Sequence, residues 1–284
     1  MQYLTIGNIN ASLDIPPLWR ERIGSHLSPF LSAPQVPADA FFSTEQVEGP
    51  ISLDGAVKRN MVYYRENGTF DFDLLTPDFR LHIDLNRRKG SLYMAPLTEY
   101  TSIIYNAIKW FMTFVAIHDG GVPLHSSLVT DGQDGVLFSG PSGSGKTTIA
   151  RLCTEAPALL QQGSDELNFI FTAGRKTVVA PTPFLSSGSA CRFTGSKSLQ
   201  RIFFLRHASR HSIKMLDLKR SFHELLKNMY SQPGPRILNE RLLSSLEKIA
   251  VSVPCGVVSF NNDLSVGEFF TSEWMRFHAP ALQS

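Results

Sequence analysis

Gly140-Pro141-Ser142-Gly143-Ser144-Gly145-Lys146-Thr147 is a complete phosphate-binding loop, and Thr148 continues it. Before it, Gly135-Val136-Leu137-Phe138-Ser139 is a short apolar run of the kind a buried strand needs. After it, Thr147-Thr148-Ile149-Ala150-Arg151-Leu152-Cys153 reads as the first turns of a helix. The glycines let the chain wrap closely around a polyphosphate with backbone N–H groups turned inward. The helix N-terminus adds partial positive charge, Lys146 reaches the terminal phosphates, and the Thr147 hydroxyl can ligate Mg²⁺. A Gly/Ser-rich linker would not come with strand, loop, Lys-Thr and helix in this order. The segment predicts binding of ATP or a related nucleoside triphosphate through residues 140–148.

Composition sets limits around that reading. The chain has 284 residues, enough for one large core or two modest domains. A formal net charge of +2 with 18% charged residues makes no electrostatic case for nucleic acid or an anionic membrane. Cys153, Cys191 and Cys255 are far apart and lack metal-ligand spacing, which suits reduced thiols in a cytoplasmic protein. The start, Met1-Gln2-Tyr3-Leu4-Thr5, carries no basic region followed by an apolar stretch, so no signal peptide is expected. Residues 103–117 are strongly apolar but are interrupted by Asn106 and Lys109 and are shorter than a bilayer span, so a buried helix is expected there.

Upstream of the loop, Met61-Val62-Tyr63-Tyr64 and Phe70-Asp71-Phe72-Asp73-Leu74 flank the turn signal Glu66-Asn67-Gly68. Leu81-His82-Ile83-Asp84-Leu85 alternates polar and apolar residues, turns at 86–90 and returns through Ser91-Leu92-Tyr93-Met94. This predicts a small antiparallel β unit within a domain at 1–96. The Pro-rich stretches near Pro16-Pro17 and at 34–37 receive no assignment. The aromatic residues Tyr63, Tyr64, Phe70 and Phe72 are explained by a covered sheet face.

From 97 to 284 the pattern changes. Leu124-His125-Ser126-Ser127-Leu128-Val129 reads as a strand that turns at 131–135 into the strand feeding the phosphate loop. That is antiparallel traffic beside the nucleotide strand, unlike a doubly wound fold. Further on come a hairpin around Ala173-Gly174-Arg175, a strand at 201–205, helices at 218–229 and 238–251 and a last strand at 257–260. The fold class is α/β with α+β character and a mixed sheet.

Two positions outside the loop carry candidate chemistry. Asp165 with Glu166 could hold Mg²⁺ or accept a proton from an attacking hydroxyl, and spacing alone leaves a solvated turn equally open. His125 lies mid-strand, where a histidine is more often structural than functional. The basic residues Arg201, Arg206, His207, Arg210, His211 and Lys214 could clamp a triphosphate or an acidic peptide, but a solvated face is the simpler reading.

Taken together, the His125 strand, the loop with Lys146-Thr147-Thr148 and Gly163-Ser164-Asp165-Glu166 resemble the catalytic core of HPr kinase/phosphorylase. The resemblance extends over about 120–270. It includes Ala180-Pro181-Thr182-Pro183-Phe184 and Val253-Pro254-Cys255-Gly256-Val257-Val258-Ser259-Phe260, which look most like the short HPr-kinase-like proteins of peptide-modification clusters. It implies a phosphoenolpyruvate-carboxykinase-like P-loop core, ATP, Mg²⁺, and phosphoryl transfer to a serine of a peptide or small protein. By the resemblance, Asp165 is the base, His125 assists it, Lys146 and Thr147 contact phosphate and metal, and Glu166 stands where the family has a second Asp near the metal. The family's glutamate-isoleucine-arginine-glycine-leucine-glycine signature has no counterpart between Pro183 and Leu199, so neither phosphorylase activity nor the family's hexamer is expected, and homo-oligomerisation is left open. HPr itself is a poor substrate candidate, since 1–96 do not resemble the family's N-terminal domain. The alternatives are an ATP-binding regulatory module without transfer and a kinase of a small metabolite such as free serine.

Overall fold

The computed structural model describes residues 2–32, 37–59, 62–96, 100–155, 160–174, 176–185, 191, 193–230, 232–261, 263 and 265–278. The chain divides into two compact units, one formed by Met1–Pro123 with Ser231–Ser245, the other by Leu124–Tyr230 with Leu246–Ser284. The boundary expected at residue 96 falls inside the first unit.

The first unit contains β1 (Gln2–Ile6), β2 (Ile9–Asp14), α1 (Pro17–Leu27), β3 (Leu31–Ser32), β4 (Ala40–Gln46), β5 (Val57–Arg59), β6 (Val62–Gly68), β7 (Asp71–Leu75), β8 (Phe79–Asp84), β9 (Lys89–Met94) and α2 (Thr101–His118). Its strands form one sheet in the order β3-β1-β2-β4-β9-β8-β7-β6-β5. This corrects the expectation of a small antiparallel unit. The β6–β9 meander is antiparallel as read, but β4 runs parallel to both β2 and β9, which extends the sheet through the unassigned first sixty residues. Alternation sets the faces. Leu74, Leu81, Leu92, Phe72, Ile83 and Phe42 are buried, while Tyr63, Arg80, His82 and Tyr93 on the other face are only half-buried.

The apolar segment at 103–117 is α2, as expected, and it lies on the sheet's buried face. Phe114 meets Phe72 at 4.9 Å between ring centroids, edge to face, and Phe111 meets Phe42 at 5.8 Å. Gly90 is required by this packing, because a Cβ there would come within 2.7 Å of Phe111 Cδ2. Pro17 opens α1 at a position where its missing N–H costs nothing.

The second unit begins within β10 (Val122–Thr130) and continues with β11 (Asp134–Ser139), α3 (Lys146–Glu155), β12 (Gln161–Ala173), β13 (Lys176–Leu185), β14 (Lys197–His207), β15 (Ser212–Met215), α4 (Leu218–Asn228), the end of α5 (Arg236–Ser252, of which residues 236–245 belong to the first unit), β16 (Cys255–Phe260) and α6 (Ser265–His278). The sheet order is β11-β10-β12-β13-β14-β16-β15, with β11 also pairing β14. β10 is antiparallel to β11, as the sequence indicated, whereas β11, β14 and β16 run parallel. Asp217 caps α4, its carboxylate accepting from Arg220 N at 2.8 Å. α3 and the unforeseen α6 share an apolar core with these strands, in which Phe138, Phe203 and Phe270 meet and Ile149 and Cys153 are enclosed.

Two mixed sheets and six helices make the described residues a mixed α/β protein. Among the described residues no helix is long and apolar enough to cross a membrane. The three cysteines are free and buried, and burial pushes the Cys191 and Cys255 thiols up to about 11. Met61, Leu97 and Arg175, at the edges of predicted elements, lie outside the described residues, as do residues 33–36.

Candidate functional site

The parallel strands β11, β14 and β16 end on one side of the second sheet, and the phosphate loop leaves β11 there. Ser139 pairs with Phe204, and His207 with Phe260, so the ends of β14 and β16 stand beside the loop. Gly143 and Gly145 take φ values of 77° and 90°, backbone that other residues adopt only with strain. At Gly145 a Cβ would also strike the Phe260 ring at 2.8 Å. The loop is therefore fitted to its wall by the absence of side chains.

Lys146 opens α3 and is 7% exposed. Its Nζ donates to the carbonyls of Gly140 and Pro141, each at 3.0 Å. Burial lowers its pKa from the usual lysine value, and the charges of Glu166 and Asp165 oppose that shift. The Ser144 hydroxyl, also in the loop, is buried and makes no hydrogen bond. A buried orphan donor next to a charged lysine is the arrangement a phosphate oxygen would complete.

Asp165 lies on β12 rather than in a solvated turn, and it is fully buried. Thr147 Oγ1 donates to its Oδ2 at 2.7 Å, and Ser127 Oγ donates to its Oδ1. Glu166 comes next on the strand, with its Oε2 at 3.3 Å from His125 Nε2. In a regular strand consecutive side chains point to opposite faces. Here Glu166 has φ 117° and the register with β13 breaks between Glu166 and Asn168. The irregularity turns Glu166 toward the β10 face that carries His125 and Ser127, the face Asp165 also meets. On the opposite face, Asn168 donates to Ser126 O at 2.8 Å and accepts from the Ser164 hydroxyl, which fixes β12 against β10.

The structure thus brings together Lys146, Thr147, Asp165, Glu166 and His125, with the ion-pair geometry of His125 directed at Glu166. Ser127 is a site residue that the sequence does not single out, although its spacing of two from His125 on a strand puts it on the same face. The basic cluster does not assemble. Arg206 pairs with Glu224 at 2.8 Å, His211 bonds Ser265 at 2.7 Å, and Arg201 sits level with Val136, away from the loop. His207 of that group borders the loop, its ring 5.3 Å from that of Phe260 between centroids.

Among the described residues no cluster of three or more His, Cys, Asp or Glu side chains could hold a metal by itself. Mg²⁺ keeps several waters and is commonly bound through one or two carboxylates with substrate phosphates. The Thr147 hydroxyl bonded to the Asp165 carboxylate is a donor set that fits such an ion. Glu166, the other residue expected near the metal, has its Oε2 at 3.3 Å from His125 Nε2.

No protein-family model matches the chain. No curated protein matches it either. Among solved structures it is similar to the HPr(Ser) kinase/phosphatase from Coxiella burnetii, at a TM-score of 0.34 and 9% identity over 55% of this chain and 99% of that one. At that score the likeness carries no weight, and the site residues stand on their own geometry.

Proposed function

We propose that the chain is an ATP-dependent phosphotransferase that passes the γ-phosphoryl group to a hydroxyl, with a serine of a peptide or small protein as acceptor. The observation that carries this reading is the bond from Thr147 to the buried Asp165 beneath a phosphate loop whose lysine is itself buried. In this reading Lys146 leaves the Gly140 and Pro141 carbonyls for the phosphate oxygens, the Ser144 hydroxyl donates to one of them, and the N-terminus of α3 faces the same charge. Asp165 fixes the Thr147 hydroxyl so that its oxygen lone pairs face the ion. Bound Mg²⁺ would offset charge on the phosphates. A module that only binds ATP has no use for the further carboxylate–imidazole pair of Glu166 and His125 beside the loop, which favours transfer over mere binding.

Calorimetric titration with a non-hydrolysable ATP analogue, with and without Mg²⁺, tests the binding half. Mass spectrometry after incubation of seryl peptides or free serine with MgATP tests the transfer half. Phosphorylation of free serine and of no peptide would replace the peptide acceptor by a metabolite, and Mg²⁺-independent binding would contradict the reading.

A further inference from the structure

We infer that Glu166, rather than Asp165, takes the proton from the acceptor hydroxyl, with His125 as the residue that positions it. The inference rests on the phosphotransferase reading and assigns a step within it. A base must reach substrate with a carboxylate oxygen. Asp165 is ill-placed for this: its side chain is fully buried, Oδ1 accepts from Ser127, and Oδ2 accepts from Thr147. Those bonds suit a carboxylate that orders a metal-binding hydroxyl. Glu166 is the accessible member of the pair, its side chain 38% exposed and its Oε2 at 3.3 Å from His125 Nε2.

The backbone points the same way. A glutamate at φ 117° is strained, and such strain persists where surrounding structure enforces it, often at functional sites. The break in register at this residue turns its carboxylate to the face where Lys146 and Asp165 lie, so both acids act on the lysine's charge. His125 is held in turn, its carbonyl accepting from Ser139 Oγ at 2.9 Å at the last residue before the loop. The strand that carries the imidazole is thereby tied to the strand that leads into the loop.

In the transfer step the acceptor oxygen forms a bond to the γ-phosphorus while the bond from that phosphorus to the β,γ-bridging oxygen breaks. The acceptor proton passes to Glu166 Oε1 or Oε2, and ADP leaves with the electron pair of the broken bond. His125 orients the carboxylate before transfer.

Single-turnover transfer from labelled ATP, to seryl peptides, free serine or water, is measured beside nucleotide binding across a Mg²⁺ series. Glu166→Gln should bind MgATP as tightly as wild type or tighter, yet lose transfer by about 100- to 10,000-fold. Asp165→Asn should raise the Mg²⁺ concentration needed for nucleotide binding by about tenfold or more. Should Asp165→Asn fail to fold, Thr147→Val carries that arm with both carboxylates intact. His125→Gln should lower the transfer rate with nucleotide affinity unchanged. Wild-type transfer by Glu166→Gln would overturn the assignment. So would an Asp165→Asn protein that keeps wild-type Mg²⁺ dependence but loses transfer. A wild-type protein that binds no MgATP, or binds it and labels neither acceptor nor water, overturns the phosphotransferase reading itself, and the assignment falls with it.

Discussion

Asp165 and Glu166, neighbours on β12, meet side chains of the same face of β10, because Glu166 adopts φ 117° where the register with β13 breaks. Asp165 receives the Ser127 hydroxyl and Glu166 approaches His125. Two acids that strand geometry would separate are thereby gathered at one phosphate loop.

That backbone carries a cost. A non-glycine residue in this region is worth of order 1–3 kcal/mol of strain. Glu166→Gly should therefore melt no lower than wild type, with a gain of about 0–2 kcal/mol after glycine's extra chain entropy, while transfer is lost. A thermal melt and a single-turnover assay on the same preparation check both halves. A clear drop in Tm would mean that Glu166 is held there for stability.

Ser127→Ala removes the donor to a buried carboxylate oxygen. It should destabilise the second unit by about 1–3 kcal/mol and weaken Mg²⁺-dependent nucleotide binding roughly tenfold. Ser127→Thr, which keeps the hydroxyl, should restore most of both. Equal loss in the two variants would show that packing, not the hydrogen bond, matters at this position.

The first unit should respond to pH through His82 and Asp73. The hydrogen bond to Asp73 raises the His82 pKa. Burial alone would raise Asp73, but hydrogen bonds from His82 and Arg80 outweigh it and hold the carboxyl low. The raised histidine contributes stability that is complete below its unfolded pKa of about 6.5 and is lost as pH rises through the folded value. The lowered aspartate contributes stability that is complete above its unfolded pKa of about 3.9 and is lost as pH falls through its folded value. Denaturation of a Trp274→Phe protein, whose remaining tryptophans Trp19 and Trp110 both lie in the first unit, should show a plateau between those limits. His82→Gln should remove the alkaline decline.

Gly90→Ala should cost about 1–3 kcal/mol, because its Cβ would overlap Phe111 in the contact that docks α2 on the sheet. Chemical denaturation in the Trp274→Phe background, followed by the fluorescence of Trp19 and Trp110, measures it. Phe111→Leu in the same chain should recover part of the loss.

The phosphate loop and its helix were legible because glycine spacing, Lys-Thr and the flanking apolar strand all state one geometry. The hairpins of β6–β9 and of β12–β13 were legible for the same local reason: alternation broken by turn residues. The parallel joins of β4 to β2 and β9 were not, since they link segments far apart in sequence and leave no local trace. α6 escaped because Val266, Phe270 and Trp274 become a buried face only once α3 and the sheet are present. Asp165 and His125 stand out in the sequence, but the pairing of His125 with Glu166 depends on one strained φ angle that no residue pattern announces.

The central claim is that MgATP sits on the 140–148 loop and gives up its γ-phosphoryl group to a hydroxyl. Its most direct test is incubation of wild type and Lys146→Met with γ-labelled ATP, Mg²⁺ and seryl peptides, reading label in product and bound nucleotide together. Labelled phosphoserine is expected with wild type and a loss of several orders of magnitude in Lys146→Met, since the lysine acts mainly on the transferring group. Wild-type protein that binds no MgATP, or Lys146→Met that transfers at the wild-type rate, would contradict it.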